Sequence, residues 1–219
     1  TVLGIGTGST VNYFINELDA YKNLFRGAVS SSEASSQLLR EKNIEVFSLN
    51  DVNQIDFYID GADEVSPNNF LIKGGGGALT REKIVAQSSN GMVVVADDRK
   101  QVGILGAFEL PIEVLPFEWK RTADRIAEIC PGNVNRRGGD EPFISDNGGY
   151  ILDCSFGSTI TNPSELESFL LDIAGVVEVG LFVGICDAVV MAANGGVVTL
   201  VKQGGRFCLL YTSDAADEE

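Results

Sequence analysis

Residues 2–18 read VLGIGTGSTVNYFINEL, which is a short apolar run, a glycine turn and a helical pattern in direct succession. The run at residues 2–5 predicts a buried strand, and residues 9–18 carry the apolar spacing of an amphipathic helix. Glycines between them let the backbone approach a ligand closely, and the start of the helix offers free N–H groups to an anion. This unit therefore predicts a parallel α/β sheet with an anion site at its first turn.

The same alternation continues through the first half of the chain. It predicts further helices at residues 33–41 and 80–86 and further strands at residues 27–30, 44–47, 57–59 and 92–96. Alternating strands and helices indicate a Rossmann-like, mostly parallel sheet with helices on both faces.

The pattern changes after Pro111, where a smaller α+β insert is predicted. Its helices are expected at residues 121–130 and 163–173, the second capped by Asn162 or Thr161. Its strands are expected at residues 142–145, 150–154 and 177–182, with a hairpin turn at residues 146–149, DNGG. The apolar runs at residues 188–191 and 197–201 are expected to return to the main sheet.

Three segments follow as domain predictions. We expect a Rossmann-like catalytic domain of residues 1–109 and 183–202, and an α+β insert domain of residues 110–182. Residues 203–219 have no period that suits this fold and are predicted to be a non-native or disordered tail. The chain opens on a strand without a Met, so we expect that an N-terminal piece is missing.

The composition narrows the class of partner. A formal net charge of −15 argues against nucleic acid, because a phosphate backbone needs clustered Lys and Arg. No apolar run reaches the roughly 18 residues of a membrane span. A small anionic substrate fits if the site itself is locally positive. The 4 cysteines include no C-x-x-C pair, which indicates a reducing, cytoplasmic setting.

The chain contains no histidine, so acid–base chemistry falls to carboxylates, Lys, Tyr or Cys. Residues 58–64, YIDGADE, bring Asp60 and Asp63 to the end of an apolar strand, where ligands bind in open α/β sheets. Two nearby carboxylates can hold different protonation states and so act as acid and acceptor. The alternative is a strand-ending turn rich in Asp and Gly.

Residues 72–83, IKGGGGALTREK, carry the second group of candidates. Four consecutive glycines, with Gly74 and Gly75 first, suit a backbone that wraps a ligand. Lys73 precedes them and is suited to stabilise a developing oxyanion. Glu82 follows one turn into the next helix, which would hold it rigidly beside the loop. The alternatives are a flexible linker and a solvated helix residue.

Hydroxyl and ammonium groups follow other strands. Thr7, Gly8, Ser9 and Thr10 resemble a phosphate cup, although their spacing departs from both G-x-G-x-x-G and the P-loop, and a plain strand–helix turn stays an alternative. Ser31 ends the second strand and could face the same crevice. Lys100 is a candidate partner for an anion or a solvated turn residue.

Glu33 is compatible with a different class of enzyme. It lies near the position where a dinucleotide-binding domain carries its ribose-binding acid. A nicotinamide-dependent oxidoreductase therefore remains an alternative on the glycine loop and Glu33. The simpler interpretation of this segment is a serine N-cap that starts a helix.

Taken together, the segments resemble ribose-5-phosphate isomerase A. They are, in order, GIGTGSTV, AVSSSEAS, YIDGADEV, IKGGGGALTREKI and ADDRKQV. The resemblance covers residues 1 to about 202, and the combination of DGADE with KGGGGALTREK is far more specific than the glycine loop alone.

The resemblance implies an aldose–ketose isomerase that interconverts D-ribose 5-phosphate and D-ribulose 5-phosphate through an enediolate, in the non-oxidative branch of the pentose phosphate pathway. It implies Glu82 as the general base and Lys73 as the group that stabilises the enediolate. Asp60 and Asp63 match carboxylates that bind sugar hydroxyls. The loop at residues 7–10 and Lys100 match substrate contacts.

The resemblance also implies that no metal and no nicotinamide cofactor is needed, and that the chain forms a homodimer or homotetramer in the cytoplasm. The family's first helix, with a phosphate-binding lysine, precedes the first strand and is absent from this sequence. A sugar-phosphate-sensing module without the base is the rival binding function, and the presence of Glu82 with Asp60 and Asp63 argues against it.

Overall fold

The computed structural model describes residues 1–193, 196–203 and 206–212. The helices are α1 (Ser9–Leu18), α2 (Glu33–Glu41), α3 (Leu79–Gln87), α4 (Trp119–Ala127) and α5 (Pro163–Leu171). The strands are β1 (Val2–Ile5), β2 (Gly27–Ser30), β3 (Phe57–Asp60), β4 (Glu64–Val65), β5 (Leu71–Ile72), β6 (Met92–Asp97), β7 (Leu110–Val114), β8 (Val134–Arg136), β9 (Tyr150–Cys154), β10 (Val176–Val179), β11 (Leu181–Phe182), β12 (Ala188–Ala193), β13 (Gly196–Gln203) and β14 (Arg206–Thr212).

The main sheet has the strand order β14-β13-β12-β6-β3-β1-β2 within the described residues. Its pairs from β12 to β2 are parallel, whereas β13 runs antiparallel to both β12 and β14. The predicted α/β class and the return of residues 188–191 and 197–201 to this sheet are confirmed. Because β1 lies between β2 and β3, the strand order reverses there, and ligands bind beside such a switch point.

Helices cover both faces of the main sheet because successive strand residues alternate between two apolar clusters. Tyr58 of β3 packs in the cluster that contains Val85 of α3. The next residue, Ile59, packs in the cluster that contains Ile15 of α1 and Leu39 of α2. The helix on the Tyr58 face, α3, carries Glu82, which was predicted from the sequence as a site residue.

A second sheet, ordered β10-β7-β9-β8, is antiparallel throughout. α4 and α5 lie beside it, and its apolar cluster includes Ile112, Ile126 and Leu170. A small sheet of β11, β5 and β4 joins this region to the segment that follows β3. The division into a catalytic domain and an insert at residues 110–182 stays a prediction.

Several local predictions are wrong. Residues 44–47 make only one bridge, Ala28 to Val46, in place of a strand. The strand at residues 142–145 is reduced to the bridge between Ile144 and Tyr150, because Pro142 has no N–H to donate, and β9 pairs with β8 in its place. The run at residues 177–182 divides into β10 and β11. The short strands β4, β5, β7 and β8 were not predicted.

The end of the chain also differs from its prediction where the structure describes it. Residues 206–212 form β14 and pair with β13 at the edge of the main sheet. The remainder of the predicted tail, residues 204–205 and 213–219, lies outside the described residues. No helix in the described part of the chain is both long and apolar enough to cross a membrane.

The α1–α2 face offers a direct test of the core. Leu39 is fully buried in the cluster of α1 and α2, whereas Leu24 is 77% exposed. Leu39→Ala is expected to lower the free energy of unfolding by about 2–5 kcal/mol, because it removes buried methyl groups and leaves a cavity. The matched control Leu24→Ala should change it by less than about 0.5 kcal/mol. Urea titration measures both, and equal losses would contradict this packing.

Candidate active site

A cleft of about 420 Å³ opens where the parallel strands β1, β3 and β6 end. It therefore lies at the switch point of the sheet, where loops from both sides can close on a ligand. Its lining residues are Thr7, Gly8, Ser9, Thr10, Gly61, Ala62, Asp63, Lys73, Gly74, Gly75, Gly76, Glu82, Asp97, Arg99 and Lys100.

Asp60 is the buried anchor behind this cleft. One carboxylate oxygen, Oδ1, accepts the backbone N–H groups of Thr7 at 3.1 Å and Gly61 at 2.7 Å. The other, Oδ2, accepts the Tyr58 hydroxyl at 2.5 Å and lies 2.7 Å from Lys73 Nζ. The side chain has no exposed surface. Donors thus converge on Asp60 from three loops and fix it in place.

Glycine is required where the first loop crosses this carboxylate. A Cβ on Gly6 would lie 2.0 Å from the Asp60 carboxyl group, which no side chain can accommodate. The backbone of Gly6 is held there because its N–H donates to the carbonyl of Ile59 at 2.9 Å. The glycine turn that follows β1 therefore allows a close approach to β3 as well as to a ligand.

Lys73 bridges the two buried carboxylates. Its Nζ lies 2.7 Å from Asp60 Oδ2 and 3.1 Å from Glu82 Oε2, and it donates to the carbonyl of Gly61 at 2.7 Å. Burial acts to lower the pKa of Lys73, but the two carboxylates outweigh it, so that the pKa lies above its ordinary value. Lys73 is therefore held in its charged form, with one hydrogen bond to a carbonyl and an ion pair to each carboxylate.

Glu82 is the least well paired of these groups. It lies in the first turns of α3, and its side chain is only 4% exposed. Oε2 contacts Lys73 as an ion pair but makes no hydrogen bond of good geometry within the described residues. Burial, with the negative charge of Asp60, raises the pKa of Glu82 to about 8, although Lys73 opposes the rise. Such a carboxyl group can exchange a proton near neutral pH.

Asp63 lies at the rim and supports the glycine loop. Its Oδ2 accepts the N–H of Gly75 at 2.8 Å, and a Cβ on Gly75 would lie 2.6 Å from Asp63 Oδ1. The loop turns back on itself through a hydrogen bond from Gly77 N to the carbonyl of Gly74 at 2.9 Å. Asp63 and the loop therefore form one continuous wall of the cleft.

The opposite end of the cleft suits an anion. α1 begins at Ser9 after Gly8, and within the described residues no side chain caps it, so its first N–H groups are available to a ligand. Thr7, Ser9 and Thr10 add hydroxyl groups, and Lys100 adds an ammonium group with no ion pair in the described part of the chain. A phosphate-sized anion is thus matched by helix dipole, hydroxyls and one cation.

The structure brings together most of the residues predicted from the sequence. Ten of them line the cleft: Thr7, Gly8, Ser9, Thr10, Asp63, Lys73, Gly74, Gly75, Glu82 and Lys100. Asp60 and Ser31 do not line it, since both are fully buried behind it. Ser31 accepts or donates to the Thr7 hydroxyl at 3.2 Å and so supports the loop from below. Glu33 forms an ion pair with Arg81 at 2.9 Å.

Tyr58 is a site residue that the sequence analysis missed. It is fully buried, and its hydroxyl donates to Asp60. Burial raises its pKa well above the ordinary value, and the nearby Asp60 and Glu82 charges add to the rise, so Tyr58 remains a proton donor. The sequence could have indicated this contact. Residues two apart on a strand share a face, and Tyr58 precedes Asp60 by two positions.

No group of three or more His, Cys, Asp or Glu side chains arranged to hold a metal ion occurs among the described residues. Of the carboxylates that line the cleft, Glu82 is paired with Lys73, Asp63 accepts a backbone N–H group, and Asp97 is paired with Arg99.

Residues 27–196 match the sequence profile of the family described as ribose 5-phosphate isomerase A (phosphoriboisomerase A). Ribose-5-phosphate isomerase A of Mannheimia succiniciproducens is 47% identical over 182 residues, which are 83% of this chain and 81% of that protein. The structure of ribose 5-phosphate isomerase A from Methanocaldococcus jannaschii is 37% identical, with a TM-score of 0.85 over 92% of this chain and 91% of that one. A D-ribose-5-phosphate isomerase solved in complex with phospho-erythronic acid is 39% identical, with a TM-score of 0.86 over 92% and 90% of the two chains.

The raised pKa of Glu82 predicts how stability depends on pH. Between the ordinary value of 4.5 and about 8, the folded chain keeps a proton on Glu82 that the unfolded chain has released. The stability associated with that proton is fully present below pH 4.5 and is lost as the pH rises to about 8. The free energy of unfolding of the parent, minus that of Glu82→Gln, should therefore fall as the pH rises through this window.

Urea titrations of the parent and Glu82→Gln at several pH values measure this difference. The exposed Glu17→Gln variant is the matched control for the removal of one carboxylate. A difference that rises with pH, or that tracks the control, would show that Glu82 does not carry the raised pKa.

Proposed function

Because this chain belongs to the ribose 5-phosphate isomerase A family, it interconverts D-ribose 5-phosphate and D-ribulose 5-phosphate, and we propose that the cleft at the switch point carries out this reaction. The predicted family and activity are confirmed by the match over residues 27–196 and by the 47% identical relative. The roles of individual residues are our proposal, and one observation supports them above all: buried Glu82 and buried Lys73 lie 3.1 Å apart at the cleft wall.

Glu82 is proposed as the base that moves the carbon-bound proton. It takes the proton from C2 of the open-chain aldose, which leaves a 1,2-enediolate, and it returns the proton to C1 to give the ketose. A base with a pKa of about 8 is far stronger than an exposed glutamate and is still partly ionised near neutral pH. Its place on a rigid helix keeps the carboxylate beside both carbons through both transfers.

Lys73 is proposed to stabilise the enediolate oxygen. Two of its N–H bonds are directed to Asp60 and the carbonyl of Gly61, each at 2.7 Å, and the third faces Glu82 at 3.1 Å. When Glu82 accepts the carbon proton it loses its charge and its hold on the ammonium group. The third N–H is then free for the substrate oxygen, which becomes negative in the same step.

Asp60 is proposed as a positioning residue in place of the direct sugar contact expected from the sequence. It is fully buried, and its two oxygens are engaged by Lys73, Tyr58 and backbone N–H groups. Its charge keeps Lys73 protonated and correctly placed. Asp63 lines the cleft, and we assign to it the transfer of the hydroxyl proton between O2 and O1 that completes the isomerisation.

The phosphate of the substrate is assigned to the opposite end of the cleft. The uncapped start of α1, the hydroxyls of Thr7, Ser9 and Thr10, and Lys100 support this assignment. The substrate's reacting end would then meet Glu82 and Lys73, with the glycine loop over its hydroxyls. This scheme requires neither a metal ion nor a nicotinamide cofactor. The rates of the parent and the variants should therefore be measured in excess EDTA.

We also propose that the chain works in the cytoplasm as a homodimer, with a homotetramer as the larger alternative. Cys130, Cys154 and Cys186 are free and buried, which fits a reducing compartment. Large exposed apolar side chains such as Phe117, which is 83% exposed, support association between copies.

Glu82→Gln is expected to lower kcat by about a hundredfold to ten-thousandfold, because the amide cannot accept the carbon-bound proton. A coupled assay of ribulose 5-phosphate formation measures the rate. The exposed Glu17→Gln variant, also on a helix, should remain within about twofold of the parent. An activity of Glu82→Gln within about tenfold of the parent would rule out Glu82 as the base.

Lys73→Met is expected to lower kcat by about a hundredfold or more while changing KM only slightly, because the ammonium group acts on charge that develops during the reaction. In the parent, Lys73 Nζ lies 5.4 Å from the centroid of the Phe182 ring. Methionine keeps an apolar side chain of similar length beside this ring. Lys120→Met, at an exposed position, is the control. An effect confined to KM would contradict the role assigned to Lys73.

A further inference from the structure

The glycine loop, residues 74–77, needs restraint from outside itself. Glycine loses more conformational freedom on ordering than any other residue, and Gly74 and Gly77 adopt φ values of +107° and +78°. The loop nevertheless lines the cleft through Gly74, Gly75 and Gly76. Whatever fixes its peptide planes also decides which groups face the substrate.

Arg137 supplies that restraint from the second sheet. It follows β8 directly, and its Nη1 donates to the carbonyls of Gly74 at 3.0 Å and Gly75 at 3.1 Å. The rest of the guanidinium group is held by Asp153, which accepts Nε–H at 2.9 Å and Nη2–H at 2.5 Å. The Cζ atom of Arg137 also lies 5.7 Å from the ring centroid of Phe143. Arg137 itself does not line the cleft.

The direction of the amide hydrogens follows from these contacts. In a planar trans peptide the carbonyl and the N–H point to opposite sides. With the carbonyl of Gly74 turned to Arg137, the N–H of Gly75 must point away, and it donates to Asp63 Oδ2 at 2.8 Å. The carbonyl of Gly75 is also turned to Arg137, so the N–H of Gly76 points away from it too. Within the described residues, that N–H has no acceptor.

We infer that Arg137 is a positioning residue for the isomerisation, which sets the glycine loop so that the Gly75 N–H holds Asp63 and the Gly76 N–H is offered to a substrate oxygen. The inference rests on the proposed function for its catalytic consequence. Its structural part, the orientation of two amides by one guanidinium group, stands on the contacts alone. A lysine cannot replace it, because an ammonium group lacks the planar fork that bridges Asp153 and two carbonyls.

The variants are Arg137→Lys, which keeps the charge, and Asp153→Asn, which keeps Arg137 but weakens its hold. Arg136→Lys is the matched control: Arg136 is the preceding residue, and it bonds Gly139 and stacks over Trp119 at 4.6 Å, away from the cleft. Two readouts are needed for each protein. The first is kcat and KM for ribose 5-phosphate, and the second is amide hydrogen exchange of Gly75 and Gly76 by NMR on glycine-labelled protein.

We expect kcat of Arg137→Lys to fall by about tenfold to a hundredfold with KM nearly unchanged, since a donor used in the transition state is displaced. Exchange of the Gly75 amide should become at least about tenfold faster, while the melting temperature stays close to that of the parent. Asp153→Asn should show the same changes in smaller measure. Arg136→Lys should match the parent in both readouts.

Unchanged Gly75 exchange in Arg137→Lys would overturn the inference whatever the rates are. A rate loss that follows only the unfolded fraction, or one confined to KM, would also overturn it, since either indicates a merely structural contact. If the parent itself fails to convert ribose 5-phosphate, the proposed function falls, and with it the catalytic consequence. The exchange data would still decide whether Arg137 orients the loop.

Discussion

A single ammonium group buried between two carboxylates organises this molecule's functional end. Taking Lys73 out of water is costly, and the cost is offset only because Asp60 and Glu82 lie within 3.1 Å and the Gly61 carbonyl accepts a further hydrogen bond. With two carboxylates and one ammonium group in the same buried space, one negative charge has no cation of its own. Asp60 is surrounded by donors, so Glu82 is the carboxylate whose negative charge is not fully compensated. Its pKa therefore rises to about 8.

The surrounding fold can be understood as the means of bringing these three groups together. Asp60 ends β3, Lys73 follows the short strand β5, and Glu82 lies on α3. The parallel sheet supplies the first position, because its strands deliver polar residues to a common edge. Gly6 must then pass within contact of Asp60, and a side chain there would displace the carboxylate on which Lys73 depends. The glycine pattern is therefore a packing requirement of the ion pair as well as a ligand feature.

Features of this arrangement that depend on neighbouring residues could be predicted from the sequence, whereas features that depend on residues distant in sequence could not. The strand and helix bounds of β1, α1, β2 and α2 follow from local apolar spacing and from the Ser32 cap, so they could be predicted. The cleft residues could be predicted because strand ends and glycine loops mark them locally. The burial of Asp60 could not, since it depends on Lys73 arriving from a different strand.

Arg137 marks the limit of such prediction. No local pattern distinguishes it from Arg136, and its contact with Gly74 crosses between two sheets. The β8–β9 pairing that positions it was also missed, because residues 142–145 carried the stronger strand signal. Long-range pairing, rather than composition or spacing, therefore decides which arginine contributes to the cleft.

The absence of histidine from the sequence makes the electrostatic arrangement more demanding. Histidine needs little help to exchange protons near neutral pH, whereas a glutamate must be desolvated and placed beside another negative charge. The same burial that raises the pKa of Glu82 would lower that of Lys73, so Asp60 must serve both: it repels charge on Glu82 and retains charge on Lys73. One buried aspartate thus raises the pKa of both groups, which makes Glu82, the proposed base, more basic and keeps Lys73, the proposed electrophile, charged.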